Sequence, residues 1–188
     1  MAEAITTELI LGGQKSGKSR LAESRAQAWL AASPAHRATF VATAVPGDAE
    51  MGERIRRHQQ DRAARLPGIG LIEEPLRLAD AIARASRADT LVLVDCLTLW
   101  LTHHLMPMRS GPSTMSPQKL IDGLCDSLRR VPGPVVLVSN EIGLGVVPLG
   151  AEVRGFVDTL GRLNQAVAAI CPRVTLMAAG LPLGLKTP

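Results

Sequence analysis

An apolar run that breaks into glycines and ends in Lys-Ser constrains this 188-residue chain more than any other stretch. Leu9-Ile10-Leu11 leads into Gly12, and after four residues come Gly17, Lys18 and Ser19, completing a phosphate-loop pattern. Residues without Cβ let successive backbone N–H groups turn inward on a polyphosphate, and the helix that follows adds its positive dipole end. Gly12, Gly13, Gln14, Lys15, Ser16 and Gly17 are therefore expected to cradle the phosphates of a nucleotide. Lys18 offers a point charge to the outer phosphates, and the Ser19 hydroxyl a ligand to Mg²⁺ bridging the same oxygens. Helix formers from Arg20 to Leu30 give the loop the strand-before, helix-after setting that the pattern needs.

A chain of this length makes one domain burying roughly 70% of its unfolded surface, and residues 1–188 are read as a single unit. With two Phe, two Trp and no Tyr, aliphatic residues must fill its core. The same scarcity argues against a single-strand nucleic-acid binder, which stacks bases on aromatic rings. A net charge of +4 suits anionic small molecules, and equally a solvated, Arg-rich surface. Cys96, Cys125 and Cys171 have no metal-ligand spacing and are odd in number, so reduced, buried thiols are expected. No apolar run reaches the roughly 18 to 20 residues of a membrane span, and the N-terminus is not built as a signal peptide. A cytoplasmic location follows by elimination.

Along the chain, Met1 to Thr7 reads as a loose lead-in, and Ala38 to Thr43 as a second buried strand stopped by Pro46-Gly47-Asp48. Ala49 to Arg65 makes a strongly polar helix carrying His58, which by pattern alone is equally a solvated face with a surface histidine. A short strand follows Pro67-Gly68, and helical spacing returns from Leu76 to Arg87. Thr90-Leu91-Val92-Leu93-Val94-Asp95 is a strand ending in a carboxylate, the other half of a nucleotide-Mg²⁺ site, although Asp95 could instead cap the next helix. His103 and His104 point about 100° apart on a helix and cannot chelate one ion together. Met106 to Pro117 is the most loop-like and mobile segment, and Ser116-Pro117 starts a helix running to about Arg130. Val135 to Ser139 is a further strand, whose polar end Asn140-Glu141 and two glycines form either a site-facing loop or a structural turn. Gly150 to Ile170 is a long helix, and Pro172 to Ala178 is expected to close the sheet as the last strand. Strands alternating with helices mean an α/β fold with a mainly parallel sheet.

Several separated stretches together match one pattern: Gly12 to Ser19, Val41-Ala42-Thr43, Arg54-Ile55-Arg56-Arg57-His58, Asp95 to Trp100, Ser139 to Pro148, and Gly161-Arg162-Leu163-Asn164-Gln165. In these the chain resembles the bifunctional adenosylcobinamide kinase/adenosylcobinamide-phosphate guanylyltransferase family of cobalamin biosynthesis, from Leu9 to Lys186 and in the right order. The resemblance implies a phosphate-loop NTPase-like (RecA-like) single domain with two reactions. One passes the γ-phosphoryl of ATP or GTP to adenosylcobinamide; the other passes GMP from GTP to adenosylcobinamide phosphate through a guanylyl-histidine.

By the same resemblance the histidine is His58, with Lys18 the second catalytic residue, and Val41, Ala42, Thr43, Gln59, Gln60, Asp61, Arg62, Glu73 and Asp95 are nucleotide contacts. Glu74 stands one position from Glu73 as the alternative. Ser19 and Asp95 are the Mg²⁺ ligands, and Arg54, Arg57 and Arg62 would neutralise charge growing on the phosphates. Where the family carries Pro and Trp after the histidine helix, this chain has Ala63 to Gly70. The resemblance also implies a homotrimer. The rival readings are a phosphate-loop kinase without nucleotidyl transfer, a regulatory or nucleic-acid-binding RecA-like ATPase, and, last, a GTP switch, for which the Asn-Lys-x-Asp signature is missing.

Overall fold

Strands that read as unbroken apolar runs have no face to give to water, so helices must cover both sides of their sheet. The structure, a computed structural model, describes residues 6–46, 49–107 and 115–187, and of residues 49, 50, 51, 54, 55 and 58 the backbone alone. Seven strands form one sheet: β1 (Glu8–Gly12), β2 (Arg37–Ala42), β3 (Gly70–Glu73), β4 (Thr90–Asp95), β5 (Val135–Val138), β6 (Arg173–Ala178) and β7 (Leu181–Lys186). Their order across it is β3-β2-β4-β5-β1-β6-β7. All neighbours are parallel except β6 and β7. The helices are α1 (Lys18–Ala32), α2 (Ala49–Arg65), α3 (Leu78–Ala85), α4 (Leu97–Leu105), α5 (Pro117–Arg130) and α6 (Ala151–Ile170).

Alternate residues of the central strands feed two cores. Leu9, Leu11, Val92, Val94, Val135 and Leu137 pack with residues of α3, α4, α5 and α6, among them Ile82, Trp100, Leu124 and Leu160. Ile10, Leu91, Leu93, Val136 and Val138 pack on the other face with Ala22 and Ala26 of α1, with Phe40, and with Leu66 just beyond α2. Full burial of each such aliphatic side chain contributes about 1.5–3 kcal/mol. No helix among the described residues is long and apolar enough to cross a membrane.

Ser116 caps α5 by accepting the Lys119 N–H, with Pro117 in the first turn, as the sequence indicates. The expected α2 also runs over the expected residues. One strand departs from expectation. β6 does not close the sheet, because Ala179 (φ 51) and Gly180 (φ 81) make a two-residue turn and β7 returns antiparallel along its edge. Pro182 and Gly184 hide this strand from propensity, and an edge is the one position in a sheet where proline is tolerated. The lead-in before Thr6, the stop at Gly47-Asp48 and residues 108–114 of the expected loop lie outside the described residues.

Candidate active site

β1 enters the phosphate loop through Gly12 at φ 152. A Cβ there would stand 2.5 Å from the Met177 carbonyl oxygen and 2.6 Å from Ser16 Oγ, so the crossing of loop and β6 admits only glycine. Helix α1 then begins at Lys18 with no side-chain cap, leaving its first N–H groups for an anion. Lys18 is buried, and its Nζ donates to the Gly13 carbonyl at 2.5 Å, which folds the side chain back over the loop. Ser16 Oγ is buried without a hydrogen-bond partner among the described residues, an orphan that a phosphate oxygen would satisfy.

Asp95 ends β4 at the same sheet edge, and its Oδ2 accepts the Ser19 hydroxyl at 2.6 Å. Two hard oxygen donors this close suit Mg²⁺, which retains waters and takes its remaining ligands from phosphates. Asp95 is therefore a partner of the phosphate loop and not a cap; α4 has no side-chain cap. Behind it, Thr43 is fully buried. Its hydroxyl accepts the Cys96 N–H and donates to the Cys96 carbonyl, both at 2.8 Å. Its own N–H bonds the Asp95 carbonyl at 3.2 Å, and His103 Nε2 lies 3.0 Å from its carbonyl oxygen. Burial holds the His103 imidazole below its ordinary pKa. Thr43 thus latches the end of β4, and Val41 beside it is core.

Helix α2 carries His58, whose side chain lies outside what is described. The C-terminal half of the helix is pinned. Arg62 is buried with its guanidinium 3.8 Å from the centre of the Phe40 ring. Burial lowers its pKa, against the opposing charges of Glu23, Asp95 and Glu73. Arg65 pairs with Glu23 of α1 at 2.5 Å, and Gln27 donates to the Arg65 carbonyl at 2.8 Å. Register sets Ala42, Glu73 and Asp95 level on adjacent strands. Gln59 Nε2 reaches Glu73 Oε1 at 3.4 Å, whereas the Glu74 carboxylate accepts the Leu76 and Arg77 N–H groups ahead of α3. Of the two glutamates, Glu73 is the one turned to the histidine helix. Gln60 and Asp61 are exposed.

A cavity of about 390 Å³ opens beside the loop, lined by Gly13, Gln14, Lys15, Ser16, Glu141 and Leu144 and by Leu176 to Ala179. Glu141 had no assigned role from the sequence; its place at the polar end of β5 was the available signal. A buried network fixes that end. Ser139 Oγ donates to Asn164 Oδ1 (2.7 Å), Asn164 Nδ2 donates to the Asn140 carbonyl (3.1 Å), and Thr98 Oγ1 accepts the Asn140 N–H (2.9 Å).

The family described as cobinamide kinase / cobinamide phosphate guanyltransferase matches residues 8–185. The chain belongs to that family. It is 47% identical over 179 residues to the bifunctional adenosylcobalamin biosynthesis protein CobP of Pseudomonas aeruginosa, covering 95% of this chain and 96% of that one. Against the protein CobU of Salmonella typhimurium, likewise named a bifunctional adenosylcobalamin biosynthesis protein, identity is 33% with 95% and 98% covered. Among solved structures, a Pyrococcus horikoshii OT3 protein aligns with a TM-score of 0.56 at 10% identity, covering 98% of this chain and 88% of that one. The flagellar accessory protein FlaH of Methanocaldococcus jannaschii gives 0.54 at 13%, with 97% and 78% covered. At such identities the likeness of these two to this cobinamide kinase family member is one of fold alone.

Proposed function

We propose that this protein phosphorylates adenosylcobinamide with ATP or GTP and then transfers GMP from GTP to the product, giving adenosylcobinamide-GDP and pyrophosphate by way of a guanylyl-histidine at His58. The observation that carries the reading is the shared sheet edge: Lys18, Ser19 and Asp95 meet there, and α2, the helix bearing His58, is tied to α1 and β2 beside them. Its family membership and the names of its relatives support both activities.

In the first reaction the loop N–H groups hold the triphosphate and Lys18 balances charge on its outer phosphates while the acceptor hydroxyl attacks the γ-phosphorus. Mg²⁺, held by Ser19 and Asp95, would supply further neutralisation of the phosphate oxygens. In the second, a neutral imidazole nitrogen of His58 attacks the α-phosphorus of GTP. A nitrogen–phosphorus bond forms as the bond to pyrophosphate breaks, and pyrophosphate leaves with the electron pair. A phosphate oxygen of adenosylcobinamide phosphate then displaces the imidazole. Arg57 and Arg62 on the same helix offset the charge that develops. Gln59 and Glu73 at the rim, and Gln60, Asp61 and the β2 end from Val41 through Ala42 to Thr43, are the remaining nucleotide contacts of this reading. The working assembly is a homotrimer, and exposed Val146 and Leu149 are apolar surface that an assembly of like chains would cover.

Incubation with GTP labelled at the α-phosphate tests the reading. The expected result is acid-labile label on the peptide holding His58, absent from His58→Ala, which retains phosphorylation of cobinamide. Intact phosphorylation with no label reduces the protein to a kinase.

A further inference from the structure

Around the phosphate loop the structure gathers N–H groups and an ammonium, and then sets a carboxylate among them. Glu141 lines the cavity with Gly13 to Ser16. Facing a triphosphate, a carboxylate is repelled, so a carboxylate held there needs a use that outweighs repulsion. It is held firmly. The Glu141 N–H donates to the Gly12 carbonyl at 3.0 Å, tying it to the first residue of the loop. The residue before it is fixed through both its N–H and its carbonyl by Thr98 and Asn164. Its Oε1 accepts the Gly143 N–H at 2.7 Å, and a Cβ on Gly143 would come within 3.0 Å of that oxygen. Sheet order adds the direction: β5 lies between β1, which carries the loop, and β4, which carries Asp95. The chain leaving β5 at this edge therefore emerges between the strand that carries the phosphate loop and the strand that carries Asp95.

We infer that Glu141 is the general base of phosphoryl transfer, an assignment that rests on the kinase activity proposed above. The acceptor is an aliphatic alcohol, a poor nucleophile while it keeps its proton. As the alcohol oxygen bonds to the γ-phosphorus, the bond from that phosphorus to the bridging oxygen breaks and the nucleoside diphosphate leaves with the electron pair. The hydroxyl proton passes to the Glu141 carboxylate and from there to water. Guanylyl transfer makes no such demand, because its nucleophiles are an imidazole and a phosphate that is already ionised. The two activities of one preparation therefore serve as each other's control.

The test compares phosphorylation of cobinamide with guanylyl transfer to supplied cobinamide phosphate, in the wild type and in Glu141→Gln. General-base removal costs about 10²–10⁴-fold, so the ratio of phosphoryl to guanylyl transfer is expected to fall at least about 100-fold, with KM for ATP unchanged. In Glu141→Ala, added formate is expected to restore phosphoryl transfer in proportion to its concentration, while chloride at equal ionic strength is not. A ratio within about threefold of wild type, a parallel fall in both activities, or no rescue by formate overturns the assignment. A wild type that labels His58 but does not phosphorylate cobinamide defeats the kinase reading itself, and this assignment with it.

Discussion

Replacing Thr43 by valine keeps the shape of a fully buried side chain and removes one hydroxyl, a hydroxyl that holds both backbone polar groups of Cys96. The two lost bonds are not equal. The Cys96 carbonyl still receives the Trp100 N–H at 3.2 Å, so losing a second donor costs about 0.5–1 kcal/mol. The Cys96 N–H is left facing a methyl group, and an orphaned buried donor costs about 1–3 kcal/mol. Together the loss is about 1.5–4 kcal/mol. For a chain of this size each kcal/mol moves the melting temperature by about 2–4 °C, so Thr43→Val is expected to melt roughly 3–16 °C below wild type. Thr43→Ser, which keeps the hydroxyl, should lie much closer to wild type. Calorimetry of the three proteins without nucleotide reads this directly. A valine variant within about 2 °C of wild type, or a serine variant as weak as the valine one, would refute the latch.

The clasp between α1 and α2 predicts a split of a different kind. Arg65→Ala removes the pair with Glu23 and loosens the helix that bears His58, so labelling of His58 by GTP should slow several-fold more than phosphoryl transfer, and equal slowing in a single-turnover assay argues against it. The buried thiols predict an alkaline limb. Burial pushes Cys96 and Cys171 from 9.0 up to about 12, with the Asp95 charge adding to the effect at Cys96. A folded value raised above the unfolded one gives stability that is whole below about pH 9 and is lost as pH climbs toward 12. Urea melts between pH 8 and 11 should show stability falling by up to about 1.4 kcal/mol per pH unit for each thiol, and Cys171→Ala should flatten that slope; an unchanged slope would be the contrary result.

The parts of the site that lie close together in sequence were legible there. Gly12 to Ser19 announces itself because one turn must supply all its contacts, and Asp95 because an aliphatic strand ends on a charge. What sequence could not yield depends on long-range pairing. Thr43 and Cys96 are 53 residues apart, and nothing local marks either as the other's partner. Glu73 and Glu74 are alike in pattern, and only the start of α3 separates them, by engaging the second. β7 was hidden by Pro182 and Gly184, whose low strand propensity gave way to pairing along the free edge of β6. The network that holds Glu141 joins α4, α6 and the β5 end, three segments whose meeting is a property of the sheet and not of any one of them.

The interposed strand between β1 and β4 works as a gauge. Two strand spacings, roughly 9–10 Å, separate the strand that delivers the phosphate turn from the one that delivers Asp95, and the Ser19 hydroxyl bridges the gap from the first turn of α1. Hydrogen bonding within the sheet thereby fixes the width of the catalytic mouth, so loops on either side can diverge to suit a bulky acceptor without changing how a polyphosphate tail is seated.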